Sequence, residues 1–413
     1  MKPAGLIVFA LTYVLISTRR LSWLGFDRPA GAMLGAVACV LLGALTPEAA
    51  VDAVDAPTIL LLFGVMGMGA FLALDGLFLE IEAALVTRAC TRAGLLGGIV
   101  WTSGLLSAFI TNDAVCVLGA PLVVRLIQRH RLPPLPFLLA LATAANTGSV
   151  ATLVGNPQNM LCATLGGLSY REHLLLCAPI AVLGLAVNHG LLWFLFRRDL
   201  AGALAPTPER TPEAPRPAHR RRIAVTLGAI AATAIAYAAG AHLSWAATAG
   251  FATLMLVHRR DTRELWPHID WSLLLFFTSL FVVVEGLIES GAPGWFFTRF
   301  PLAGAGADLK SWLRLAAIFL FGSNVVSNVP FILVVREQMA ALPDPRLGWE
   351  LLAVASTFAG NLTLLGSVAN IIVAENARDV GGIGFFEHLR VGLPLALLTT
   401  LGGVLWLVLV ATR

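Results

Sequence analysis

Apolar runs of about 20 residues, each long enough to cross roughly 30 Å of hydrocarbon as a helix, recur from end to end of this chain. No other feature restricts the fold as strongly. In lipid a backbone amide must find its partner within the protein, so a chain of this pattern is confined to helices. Composition agrees: of 413 residues, 58% are hydrophobic and 13% charged, and the mean hydropathy is +0.82. So few charges cannot coat a water-facing surface, and no separate soluble domain is visible. The expected fold class is an all-α polytopic membrane protein.

The candidate spans are Ala4–Ser17, Pro29–Leu45, Pro57–Leu79, Leu135–Val154, His173–Phe196, Ile223–Ala239, Leu243–Val257, Trp271–Ile288, Trp349–Leu365 and Leu389–Val410. Two further apolar segments, Leu95–Gln128 and Leu309–Val335, are interrupted by Thr-Asn-Asp at 111–113 and Ser-Asn-Val-Pro at 327–330. The first run resembles a signal peptide in length. It lacks a small-residue cleavage site, and Arg19 and Arg20 follow it instead of preceding it, so it is kept as a span. Residues 197–222 differ from the rest, with five prolines, seven arginines and almost no bulky apolar residue. They predict a flexible, solvated linker between a first repeat at 1–196 and a second at 223–413.

The net charge of +4 matters less than its placement, because Lys and Arg cluster between apolar runs as the positive-inside rule requires. That pattern argues against a nucleic-acid surface. It puts Arg19, Arg20, Arg28, Arg88, Arg92, the linker and the 258–260 His-Arg-Arg cluster in the cytoplasm, and both termini outside. The Arg125, Arg129 and Arg131 cluster is also inside if the Thr-Asn-Asp segment dips in and returns. By the same count the Ser-Asn-Val-Pro segment starts and ends outside. The chain thus predicts about five spans plus one re-entrant hairpin per half. Five scattered cysteines (Cys39, Cys90, Cys116, Cys162 and Cys177) show no disulfide or metal spacing and read as packing residues.

The halves match locally. Thr-Leu-Val-Gly-Asn-Pro-Gln-Asn (152–159) parallels Thr-Leu-Leu-Gly-Ser-Val-Ala-Asn (363–370), Leu74–Glu80 parallels Val284–Ser290 with Asp75 opposite Glu285, and Thr111-Asn112 parallels Ser327-Asn328. These matches keep their order along the chain, with opposite predicted orientation. Inverted repeats of this kind mark alternating-access transporters, with the site at the repeat interface.

Backbone that stops being helical within a membrane must line a cavity. Gly155-Asn156-Pro157 is such a break: Pro157 removes a donor and Gly155 tolerates unusual dihedrals. The half-helix after it offers an anion its free amides and positive dipole end. The candidate substrate ligands are therefore Thr111, Asn112, Asn156, Asn159, Ser327, Asn328, Ser367 and Asn370. Asp113, Thr152, Gly155, Thr363 and Gly366 are the candidate cation-coupling groups, with Na⁺ placed at Asn112, Asp113 and Gly155. Small polar residues in spans also serve close helix packing, so the set carries the argument more than any one member. Asp113 is the one carboxylate expected near the membrane centre at a tip, where an acid is a cation ligand, a proton carrier or a paired structural group. Asp75 and Glu285 lie near span ends, where interfacial pairing or snorkelling is expected. His189 and His242 read as structural. No nucleophile–base pair, P-loop or metal cluster appears, so an enzyme, an ATP-driven pump and a cofactor are not expected.

At Ser107–Val124, Ala144–Met160, Ser323–Val335 and Gly360–Glu375 the sequence resembles the ion transporter superfamily. The resemblance is to its ArsB/NhaD permease branch, with a citrate-transporter-like domain, and more distantly to the divalent anion:sodium symporters. It implies a scaffold plus a mobile substrate domain, elevator-like movement, a homodimer and a bacterial inner-membrane location. The symporters carry tips similar to Ser-Asn-Thr; Thr111-Asn112-Asp113 and Ser327-Asn328-Val329 depart from that, and an acid at one tip would repel a dianion. The leading expectation is a transporter of a small anion or oxyacid, arsenite-like, coupled to H⁺ or Na⁺. A Na⁺/H⁺ antiporter, a di- or tricarboxylate symporter and an anion channel are the alternatives.

Overall fold

The computed structural model describes residues 3–17, 27–204, 219–302 and 308–411. Arg19, Arg20 and the linker residues 205–218 lie outside the described residues. Among the described residues the chain is helical, apart from one isolated bridge between Thr91 and Ala203. The first half holds α1 (Pro3–Ser17), α2 (Arg28–Leu41), α3 (Pro47–Asp52), α4 (Ala56–Leu74), α5 (Leu77–Arg88), α6 (Arg92–Ile110), α7 (Asn112–His130), α8 (Pro134–Ser149), α9 (Pro157–Gly166) and α10 (Tyr170–Leu195). The second half holds α11 (Arg220–Ala238), α12 (Leu243–His258), α13 (Thr262–Leu265), α14 (Trp271–Glu289), α15 (Ala292–Arg299), α16 (Leu309–Val326), α17 (Asn328–Val335), α18 (Pro345–Leu362), α19 (Val368–Asn376) and α20 (Phe385–Ala411).

Seven of these, α4, α6, α10, α11, α14, α16 and α20, are long and apolar enough to cross a membrane, and α1, α2 and α12 are shorter apolar helices. Large apolar side chains such as Leu41, Leu105, Leu175, Ile235, Leu256 and Val325 face outward. Water would penalise such a surface, whereas lipid tails do not. This is a polytopic membrane protein.

α8 and α18 run through the middle. Every residue from Pro136 to Ser149 and from Leu347 to Leu362 is buried. Around them pack the arms α6–α7 and α16–α17, the half-helices α9 and α19, and the long α10 and α20. α4, α11 and α12 form one flanking group, and α1, α2 and α14 another. Small residues permit the close approaches: a side chain at Gly64 would strike the Ala247 backbone, and one at Gly67 the ring of Phe251.

Both interrupted segments are hairpins. Glu82 of α5, just ahead of α6, pairs with Arg125 at 2.8 Å and Arg129 at 3.7 Å near the end of α7. The chain therefore enters and leaves the first hairpin at one end. Arg336, following α17, pairs with Glu285 of α14 at 2.8 Å and ties the exit of the second hairpin to α14. The arms differ in length: α6 and α7 are 19 residues each, whereas α17 is 8 and continues as a 3₁₀ segment.

Two readings from the sequence need correction. The span Pro57–Leu79 is not one helix: it ends at Leu74, Gly76 adopts φ 85°, and α5 starts afresh at Leu77. α14 ends similarly, with Gly291 at φ 75° opening α15. The turn that corresponds to Asp75-Gly76 is thus Ser290-Gly291, and Glu285 sits within α14, not opposite Asp75. Only glycine takes this left-handed backbone without strain, and inside an apolar run that break is hard to see.

Asp75 and Glu285 are both paired, with different stakes. The Asp75 carboxylate is wholly buried, 2.7 Å from Arg260 and 3.6 Å from His258, while Glu285 keeps 21% of its side chain exposed beside Arg336. Removing one member of a buried pair strands the other charge, at a cost of about 3 kcal/mol, against about 1 kcal/mol or less for an exposed pair. Asp75→Asn should therefore lower the melting temperature in detergent much more than Glu285→Gln does.

Candidate functional site

The two hairpin tips have the same backbone. Thr111 has φ 70° and ψ 142°, and Ser327 has φ 70° and ψ 147°. This region is strained for a residue with a side chain, and a cost of order 1–3 kcal/mol persists only where surrounding structure enforces it. The enforcement is visible. The Asn112 backbone N–H donates to the Gly155 carbonyl at 2.9 Å, and the Asn328 side chain donates to the Gly366 carbonyl at 3.3 Å. Each tip is held by the broken helix of its own half.

The breaks repeat one another as well. The Asn159 side chain donates to the carbonyls of Ser149 and Thr152, and Asn370 to those of Gly360 and Thr363. Asn156 and Ser367 cap the half-helices, accepting from the backbone N–H groups of Asn159 and Ala369. The Thr152 hydroxyl donates to Ala108, and that of Thr363 to Asn324, each in the facing hairpin arm. Neither Gly155 nor Gly366 has a positive φ. They are small for a steric reason: a Cβ at Gly155 would collide with the Ser149 carbonyl, and one at Gly366 with the Asn324 amide and the Ala359 carbonyl.

The halves then lock across one another. The Asn370 carboxamide oxygen accepts from Asn146 of α8 at 3.0 Å, while that of Asn159 accepts from Thr357 of α18 at 3.0 Å. Asn146 uses its full capacity: it donates to Asn361 and Asn370 and accepts from Asn112 and Ser367. One side chain thus joins the first tip to the second break. Asn156 donates to Ser149 and Thr357. Thr152, Asn156, Asn159, Thr363 and Asn370 are accordingly spent on framework bonds.

Asp113, Ser327, Asn328, Gly366 and Ser367 do line a shared cavity of about 40 Å³, together with Gln158 and, from α2, Arg28. Among the described residues three of its lining side chains carry a buried acceptor with no hydrogen-bond partner: Asp113 Oδ1, Gln158 Oε1 and Asn328 Oδ1. Asn112 Oδ1 is likewise buried and unpartnered. Buried acceptors left open are exceptional, and they ask for a ligand that brings hydrogens or positive charge.

Asn146, Thr357 and Gln158 were not singled out by the sequence, and Arg28 was read only as a charge that sets topology. Their signal was weak, since each looks like a routine residue of a span or its edge until its partner from the far half is placed. A second buried group also escaped. His173 Nδ1 lies 2.6 Å from Glu350 Oε2, and Cys177 Sγ is within 3.8 Å of both. His173 Nε2 contacts the Val150 carbonyl, which can only accept, so Nε2 carries a hydrogen and the short contact to Glu350 holds another proton. These three offer ligands of the kind zinc takes, within 4.8 Å of one another. A Glu-His-Leu motif at 172–174 recurs at 387–389, and neither ring nitrogen of the buried His388 has a hydrogen-bond partner among the described residues.

Two outcomes follow from this geometry. Gly155→Ala and Gly366→Ala should abolish transport, with about 1–3 kcal/mol of overpacking, while Gly190→Ala, which meets nothing within 4 Å, should leave it intact; flux at matched surface expression is the measurement. Asn146→Ala strands four hydrogen-bonding groups and Thr357→Val strands two, at about 1–3 kcal/mol for each group left buried, so thermal melting should rank Asn146→Ala as the more damaging.

Comparison with known proteins agrees with the architecture. A family model described as "Citrate transporter" matches residues 13–359. The silicon efflux transporter LSI3 of Oryza sativa is 30% identical, over 97% of this chain and 96% of that protein. The putative transporter arsB of Dictyostelium discoideum is 25% identical, over 98% and 92%. The inner membrane protein YbiR of Escherichia coli is 29% identical, over 88% and 90%. The solved YdaH transporter of Alcanivorax borkumensis superposes with a TM-score of 0.54 at 16% identity, covering 98% of this chain and 96% of that one, which shows a shared fold. The chain belongs to the citrate transporter family, whose named relatives are membrane transporters and not enzymes.

Proposed function

We propose that the chain is a secondary transporter of a small hydroxylated oxyacid, of the silicic or arsenous acid type, coupled to H⁺ or Na⁺ through Asp113. The observation that carries this reading is the set of unpartnered acceptors at the cavity: Asp113, Gln158 and Asn328 each present an open oxygen. An oxyacid that keeps its hydroxyls protonated donates to such oxygens, and a coupling cation coordinates to them. A di- or tricarboxylate would bring only acceptors to an acidic tip, and a cavity of about 40 Å³ suits a small solute. Arg28 also lines this cavity and contributes a guanidinium to it. The names of the rice and Dictyostelium relatives point to the same chemical class.

The duplicated tips and breaks support two repeats meeting at one site. Asp75, at the end of α4, meets Arg260 ahead of α14, so equivalent helices run in opposite senses, as inversion requires. The glycine turns at Gly76 and Gly291 separate α4 and α14 from the hairpin-bearing core and suit an elevator-like movement of that core. A homodimer in an inner membrane, with the linker cytoplasmic and the termini outside, completes the proposal.

A Na⁺/H⁺ antiporter is the second reading, and one observation favours it: Asp270 shares a cavity with Asp113 and supplies a second acid. Liposomes loaded with a pH dye separate the two. Given a Na⁺ gradient and a panel of silicic acid, arsenite, phosphate and citrate, cation flux should require silicic acid or arsenite. Proton movement on Na⁺ alone would instead establish the antiporter. Asp113→Asn should still equilibrate the oxyacid yet lose gradient-driven accumulation, and wild-type accumulation in that variant would remove Asp113 from coupling.

A further inference from the structure

Asp113 lines two cavities. The first is the site cavity described above, where the charged group on the opposite wall is Arg28. The second, of about 390 Å³, lies between the first turn of α7, the middle of α4 and the segment Trp266–Leu273. Among the described residues its ionisable lining is Asp113, Asp270 and the exposed His268, with no lysine or arginine. The α4 wall contributes Met66, Gly69 and Ala70, which carry no charge.

The two acids differ in their surroundings. Asp270 is half-buried and caps α14, its Oδ1 accepting from the Leu273 backbone N–H at 2.9 Å. Asp113 is only 6% exposed, and its Oδ1 has no hydrogen-bond partner. Trp266 and Trp271 form a stiff aromatic wall, their rings 5.7 Å apart and the Trp271 indole donating to the Trp266 carbonyl. Acids lining a cleft with low-dielectric walls focus their field and raise the local cation concentration. The lining of this second cavity therefore favours cations over oxyanions on the Asp270 side.

We propose that this second cavity is the entry vestibule for the coupling cation, Na⁺ or hydronium: Asp270 draws the ion in, and Asp113 receives it at the inner end. The oxyacid reaches the same carboxylate from the Arg28 side. Solute and cation thus arrive by separate routes and meet at one oxygen. This rests on Asp113 being the coupling acid.

Two measurements on the full chain test it. In liposomes, with arsenite as solute and Na⁺ or pH varied, Asp270→Asn keeps the helix cap and should raise the half-saturating cation concentration about tenfold. The half-saturating arsenite concentration at saturating cation should stay unchanged, and Na⁺ and pH titrations run separately identify which ion uses the route. An unshifted cation dependence, or an equal shift for the cation and for arsenite, overturns the proposal. The second measurement needs no transport. In a Cys90→Ser background, which removes the exposed native thiol, a Ser272→Cys thiol should react about tenfold faster with a cationic methanethiosulfonate than with an anionic one, and Asp270→Asn should erase that preference. Equal rates, or a preference that survives Asp270→Asn, overturn it. If Asp113→Asn uncouples transport while Asp270→Asn changes neither measurement, only this vestibule falls. If Asp113→Asn stays coupled, the functional reading falls with it.

Discussion

A carboxamide in the interior of a bilayer protein has no water to turn to, and the Asn146 side chain is where this structure resolves that demand. It makes four hydrogen bonds, to Asn112 at one hairpin tip, to Ser367 at the far break, and to Asn361 and Asn370 beyond it. Any displacement of one hairpin tip against the opposite broken helix is registered at this side chain. The strained backbone at Thr111 and Ser327, the caps at Asn156 and Ser367 and the tight approaches at Gly155 and Gly366 are each held within one half, and this pairing joins the two halves to one another. Polar groups that fulfil one another in this way specify a single arrangement of the helices, where apolar packing alone would tolerate several.

The framework also sorts which polar atoms are available for binding. Thr152, Asn159, Thr363 and Asn370 resemble ligands in the sequence, yet their side chains are consumed in holding the breaks open. What remains is a set of acceptor oxygens with no hydrogen-bond partner among the described residues, one of them on Asp113, which lines two cavities. The chemistry of the site therefore rests on what the framework leaves unsatisfied more than on how many polar residues it contains.

Much of this was legible in the sequence. Proline, glycine and asparagine stand out against an apolar background because helix physics gives them no role in an undisturbed span, and so the tips at 111–113 and 327–330 and the breaks at 155–157 and 366–367 could be located. The pairings were not legible. Thr357 meets Asn156 across 201 residues of sequence and His173 meets Glu350 across 177, and no local pattern encodes such encounters. α5 and α15 were hidden for a different reason, since hydropathy does not register a left-handed glycine inside an apolar run. Glu350 passed unnoticed because it opens α18, where an acid usually faces the headgroups; here a histidine from α10 draws it inside.

The reciprocal bonds from Thr357 to Asn159 and from Asn146 to Asn370 bear on how the protein is made. When the ribosome has delivered the first broken helix to the membrane, the hydroxyl that closes Asn159 is still 198 residues from being inserted. Until then that carboxamide, and Asn146 with it, must be sheltered by water at the insertion machinery or by neighbouring helices. Biogenesis of this protein is therefore a waiting process, in which the first half enters the bilayer unfinished and is completed only by the arrival of the second.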